Sequence, residues 1–166
     1  MWKKDKHNHT TQSDEWLEQR FSLFDKYCFP SVLKQSNKEF LWICLFDIST
    51  LQKYEDKIIS YKKNLPEFIP LFLNEEETAT HGDYITQTIK YFKNENSTLI
   101  TMRLDNDDAL NLDYVSIIKK NSEKQTENIT IVSFKYGIQY YVKERLAVKI
   151  PFYNNHFLAM IDKQYD

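Results

Sequence analysis

Three carboxylates fall within four residues in the stretch Asp105-Asn106-Asp107-Asp108, directly after the strand expected at 98–104. Like charges about 4 Å apart repel by roughly 1 kcal/mol in water and about 4 kcal/mol at an effective dielectric of 20. A cation bound among them relieves that repulsion. All-oxygen ligands suit a hard ion, Mg²⁺ or Mn²⁺, and with few protein ligands substrate phosphates complete the shell. The competing possibility is a turn in which Asn106 or Asp108 caps the next helix. The flanks favour metal: a strand-like run leads straight into the acids, and Ala109-Leu110 returns to apolar character. An EF-hand calcium loop fits poorly, since Ala109 takes a ligand position and the central glycine is missing.

Asp47 has a similar address. It follows Phe-Leu-Trp-Ile-Cys-Leu-Phe at 40–46, a continuous apolar run that predicts a strand buried on both faces, as in a parallel sheet. In open α/β sheets, ligands bind beyond the carboxyl ends of the strands. Asp47 and Asp105, each ending a strand, are therefore expected to face one cleft.

The rest of the chain supplies elements to position them. Ser13 can cap a helix in which Leu17, Phe21, Phe24 and Cys28 share a face. Pro30 interrupts that pattern and can start a short helix carrying Val32 and Leu33. Leu51, Tyr54, Ile58 and Tyr61 mark a second amphipathic helix, and Ile85, Ile89 and Phe92 a third. The run 68–73 contains Pro70, which predicts an edge or irregular strand. Tyr114, Val115, Ile117 and Ile118 predict a helix after the acids. Three strands are expected at 129–134, 138–142 and 146–150, with Tyr136-Gly137 as a turn between the first two. Helix and strand alternate over the first two thirds, which is the α/β signature, and the strand-rich last third makes the sheet mixed.

Composition narrows the function classes. The 166 residues are 42% hydrophobic and 15% aromatic, enough for a core. A net charge of −2 gives no electrostatic case for a nucleic-acid partner. Two glycines exclude a P-loop or a dinucleotide-binding glycine fingerprint. Cys28 and Cys44 form no Cys-x-x-Cys pair, no apolar stretch is long enough to span a bilayer, and the first residues are too polar for a signal peptide. A reduced, cytoplasmic setting is expected. Residues 1–13 are expected to be a loop-like, locally basic end, and 14–166 one domain.

The stretch Thr101-Met102-Arg103-Leu104-Asp105-Asn106-Asp107-Asp108-Ala109-Leu110 resembles the Asp-x-Asp motif of GT-A glycosyltransferases, and more narrowly the rhamnosyltransferase family. Trp16-Leu17-Glu18-Gln19-Arg20-Phe21 with Leu23-Phe24 is similar to that family's early helix. Cys28-Phe29-Pro30-Ser31-Val32 followed by Gln35 is similar too. Phe40-Leu41-Trp42, Phe46-Asp47 and Ser49-Thr50 resemble its second strand, and 154–162 weakly resembles a later segment ending in an acid.

This resemblance implies a GT-A, Rossmann-like α/β fold with a mixed, mostly parallel sheet flanked by helices. It also implies transfer of a sugar from a nucleotide-diphosphate donor to a glycan acceptor, such as a cell-surface polysaccharide or lipopolysaccharide, dependent on Mn²⁺ or Mg²⁺. The family label names rhamnose, while no residue here reads that sugar. By resemblance, Asp47 contacts the nucleoside, and Asp105 lies near the ribose or reaches the metal through water. Asp107 is the direct metal ligand, and Asp108 orients the acceptor or supports the shell. Arg103 positions the diphosphate or simply partners the acids. Asp162 stands in roughly the place of a catalytic base, in a segment that also suits plain core. The family's first strand has no counterpart in the polar residues 1–9, and the family continues beyond 166, so the domain is expected to be incomplete at both ends. Two alternatives stay open: an inactive relative that only binds a nucleotide sugar, and another metal-dependent phosphoryl-transfer enzyme built on the same acids.

Overall fold

A computed structural model describes residues 13–74, 81–92, 98–152 and 157–164. The expected basic end, 1–13, lies outside these apart from Ser13. The chain forms two compact units, residues 1–95 with 106–115, and residues 96–105 with 116–166. Their boundary cuts the acidic run between Asp105 and Asn106.

In the first unit, the Ser13 side chain accepts from the Trp16 backbone N–H at 3.2 Å and caps helix α1 (Asp14–Leu23). The helix widens into a π turn at Phe24–Cys28 and continues as α2 (Phe29–Leu33). The π turn sits directly ahead of Pro30, where the ordinary hydrogen-bond ladder loses a donor. Strand β1 (Trp42–Asp47), helix α3 (Leu51–Asn64) and strand β2 (Phe68–Leu73) form a βαβ unit, with the strands parallel and Trp42 opposite Phe68. An aromatic cluster joins these elements. Ring centroids lie 5.4 Å apart for Phe24 and Trp42, 4.7 Å for Phe29 and Tyr61, and 5.5 Å for Trp42 and Phe68. Such pairs contribute about 0.5–1.5 kcal/mol each beyond area burial. Phe21, Phe24, Cys28, Phe29, Val32 and Phe68 are buried, so the α1–α2 face is the core face that the helical spacing implies. Helix α4 (His81–Phe92) is the third amphipathic helix.

In the second unit come β3 (Leu99–Met102), the body of α5 (Tyr114–Lys124), β4 (Ile129–Val132), β5 (Tyr136–Tyr141), β6 (Leu146–Pro151) and β7 (Ala159–Asp162). Strand β7 is central, antiparallel to both β3 and β4, and its Ala159 and Ile161 are fully buried. Strands β5 and β6 form a separate antiparallel hairpin, with Arg145 in the left-handed region at its turn.

The molecule is thus mixed α/β, but the mostly parallel sheet is not what forms. Among the described residues only β1 and β2 are parallel, and the other pairings are antiparallel. Three local expectations are corrected with it. Strand β1 is not buried on both faces: β2 is its one neighbour among the described residues and Leu45 is 43% exposed. Aromatic side chains cover the Trp42 and Phe46 side, and an unbroken apolar run does not reveal that its second face is open. Tyr136-Gly137 is not a turn: it lies inside β5, opposite Pro151 and Ile150. Strand β4 accordingly pairs with β7, far along the chain, and not with β5. Pro70 does sit on an outer strand, where its missing donor is tolerated.

Candidate functional site: an acidic loop clamped by α1 and α2

The acids lie in the irregular segment between β3 and α5. Within the first unit, its later part is tied down by polar side chains of α2 and the residues just after it. Ser31 Oγ donates to the Cys28 carbonyl at 2.7 Å and accepts from the Leu110 N–H at 3.1 Å. Gln35 Nε2 donates to the carbonyls of Ser31 (2.9 Å) and Asn111 (2.7 Å), and its Oε1 accepts from the Val115 N–H at 3.1 Å. The Ser36 N–H donates to the Leu112 carbonyl at 2.9 Å. Ser31 and Gln35 are buried, so their own polar atoms need these partners, and the bonds fix the loop backbone against α2. These are residues of the Pro-Ser and Gln segment, and the clamp explains in physical terms why they accompany the acids.

Helix α1 reaches the acids themselves. Arg20 Nη1 lies 3.0 Å from Asp107 Oδ2, and Nη2 lies 3.3 Å from Oδ1. This is the fork-to-fork geometry that suits guanidinium and carboxylate. The Arg20 guanidinium also stands 5.7 Å from the centre of the Trp16 ring. Its Nε is buried with no hydrogen-bond partner among the described residues. Arg20 is the functional candidate that the sequence did not disclose. It lay in the quoted early helix, yet nothing local pointed to a partner 87 residues away.

In the second unit, Arg103 pairs with Asp105 at 2.9 Å (Nε to Oδ1) and 3.2 Å (Nη2 to Oδ2). Arg103 thus acts here as a partner of the acids, in an exposed pair of small energetic weight. Beside it the β3–β7–β4 sheet carries an open apolar depression of about 360 Å³, lined by Thr101, Met102, Arg103, Ile131, Leu158 and Met160.

The other candidates are placed as follows. Asp47 ends β1, half-buried, and its Oδ1 accepts from the Ser49 N–H (2.9 Å) and Oγ (2.5 Å), an Asx turn that starts the 3₁₀ segment Ile48–Thr50. Asp47 belongs to the first unit and Asp105 to the second. Asp108 is half-buried next to the clamped residues. Asp162 closes β7 opposite Leu99, the first residue of β3, and its Oδ1 accepts from the Gln164 N–H at 2.9 Å. Asp105 follows the other end of β3, so the strand alone separates them by ~10 Å. The structure does not bring Asp162 to Asp105.

For a divalent cation, the donor chemistry fits. Asp107 in the first unit and Asp105 in the second each offer hard carboxylate oxygens, and each already holds a cationic guanidinium. Among the described residues no three of His, Cys, Asp and Glu converge on one point, so other oxygens, such as substrate phosphates, must complete a shell.

Compared with known proteins, residues 4–161 match the model of a family described as putative rhamnosyl transferase, nearly the whole chain. The chain belongs to that family. No curated protein and no solved structure matches it.

Proposed function

We propose that this chain is a glycosyltransferase that moves a sugar from a nucleoside-diphosphate donor to a hydroxyl of a glycan acceptor, using the acidic loop as its donor site. The observation that carries this is the clamp: buried Ser31 and Gln35 and the fork of Arg20 hold the segment bearing Asp107 and Asp108 in a defined place. Family membership supports the reaction class.

In this account the acceptor oxygen attacks the anomeric carbon, and the bond from that carbon to the diphosphate breaks. The nucleoside diphosphate leaves with the bonding pair. A carboxylate takes the acceptor's proton, and Asp108 is the residue assigned to it. The Asx turn of Asp162 at the far end of β3 suits a strand-ending role better. Asp107 and Asp105 would hold Mn²⁺ or Mg²⁺, which when bound offsets charge growing on the departing diphosphate. Asp47 would contact the nucleoside and Arg103 the diphosphate.

The test is a panel of nucleotide sugars with glycan acceptors, with and without Mn²⁺, read by mass spectrometry. Glycosylated product is expected for at least one donor. Binding without turnover would leave a nucleotide-sugar-binding relative. Donor cleavage without transfer would leave a phosphoryl-transfer enzyme or hydrolase.

A further inference from the structure

We infer that Arg20 is a diphosphate-binding residue held in reserve by Asp107. The inference rests on the proposed donor site but gives Arg20, there only part of the clamp on the loop, a role toward the ligand itself.

Arg20 engages both carboxylate oxygens of Asp107, at 3.0 and 3.3 Å. A metal ligated directly by Asp107 needs at least one of those oxygens. Arg20 and the cation therefore draw on one carboxylate, and the repulsion between two positive charges at that distance drives at least one arm of the guanidinium away when the cation arrives. The displaced group has few places to go. It extends from the last turn of α1, a helix fixed by a capped start and by buried Phe21. Its side chain is only 30% exposed and lies along Trp16. A freed fork at that position stays within reach of whatever Asp107 holds. The planar guanidinium matches phosphate oxygens as well as it matches a carboxylate. Its buried Nε, with no partner among the described residues, leaves a further donor unsatisfied in the carboxylate-bound state. The ligand class that brings cation and anionic oxygens together is a diphosphate with its divalent ion. Arg20 thus neutralises Asp107 before the donor arrives and the diphosphate afterwards.

The test uses inorganic pyrophosphate and the full chain without metal, so it does not depend on sugar transfer. Asp107→Asn keeps the size of the side chain and releases Arg20. Calorimetry should show pyrophosphate bound at least ten-fold more tightly by Asp107→Asn than by the parent chain. Arg20→Lys in the Asp107→Asn background has the same charge but no fork, and should lose at least three-fold of that gain. Arg20→Gln in the same background should lose all of it. Circular dichroism on each variant confirms the fold. Equal pyrophosphate affinity in the parent chain and Asp107→Asn overturns the inference, as does a gain that survives Arg20→Gln. If the pyrophosphate series behaves as stated while no nucleotide sugar is turned over, the proposed reaction falls and the role of Arg20 stands.

Discussion

Arg20 on α1 and Asp107 in the acidic loop grip each other through two parallel N–H···O contacts, joining residues 87 apart in sequence. The pair is partly exposed, with side chains 30% and 41% accessible, so solvent screens it. Arg20→Met should therefore lower stability by no more than about 1 kcal/mol in urea denaturation. A loss several times larger would show that Arg20 is chiefly a scaffold residue.

Gln35 should matter far more to the fold. It is 3% exposed and makes three hydrogen bonds, two of them to the loop backbone at Asn111 and Val115. Gln35→Leu fills similar space but leaves the part-buried Val115 N–H without its partner and takes one of two donors from the Asn111 carbonyl, which keeps the Tyr114 N–H, at a cost of about 1–3 kcal/mol for the group left unsatisfied. Hydrogen exchange should speed up at Leu110 and Val115. Unchanged exchange there would mean that the clamp does not hold the loop.

How far the sequence anticipated this depends on the range of the interaction. Local signals read well: Ser13 caps α1, Phe21, Phe24 and Cys28 share a buried face, and Asp105–Asp108 follow a strand. Strand pairing read poorly. Nothing within 129–134 states that its partner is 159–162, and Tyr136-Gly137 carried turn chemistry into the middle of β5. The acids were visible as a cluster, while the residues that hold them, Ser31, Gln35 and Arg20, act across 79, 80 and 87 positions. Periodicity has no term for such distances.

A pH dependence follows from Tyr61. Burial raises its phenol well above the usual range, helped by the hydrogen bond it donates to Asp25 and by that carboxylate's charge. Below about pH 10 the phenol is neutral in both folded and unfolded chains. Above it the unfolded chain loses the proton and the folded chain keeps it, so stability falls as pH rises. Tyr61→Phe should flatten the decline between about pH 9 and 12, after an initial cost of about 1 kcal/mol at neutral pH. Parallel decline in both proteins would place the alkaline sensitivity elsewhere.

The two carboxylates considered for the proton transfer are separable. Asp108→Asn should lower turnover by about 100-fold or more, the usual range for a lost general base. Asp162→Asn should stay within a few-fold, because Asp162 closes β7 at the far end of β3 from Asp105. The reverse ranking in kcat would return the base to Asp162.

The most direct test of the central claim couples donor cleavage to product. With Mn²⁺, an accepted nucleotide sugar and its glycan acceptor, released nucleoside diphosphate and glycosylated acceptor should be counted together. The account predicts one of each per turnover, and a loss of about 100-fold or more on Asp107→Asn, the scale of removing one charge-stabilising group from a reacting centre. Turnover that is the same in Asp107→Asn, or nucleoside diphosphate released beside free sugar with no glycosylated acceptor, would contradict it.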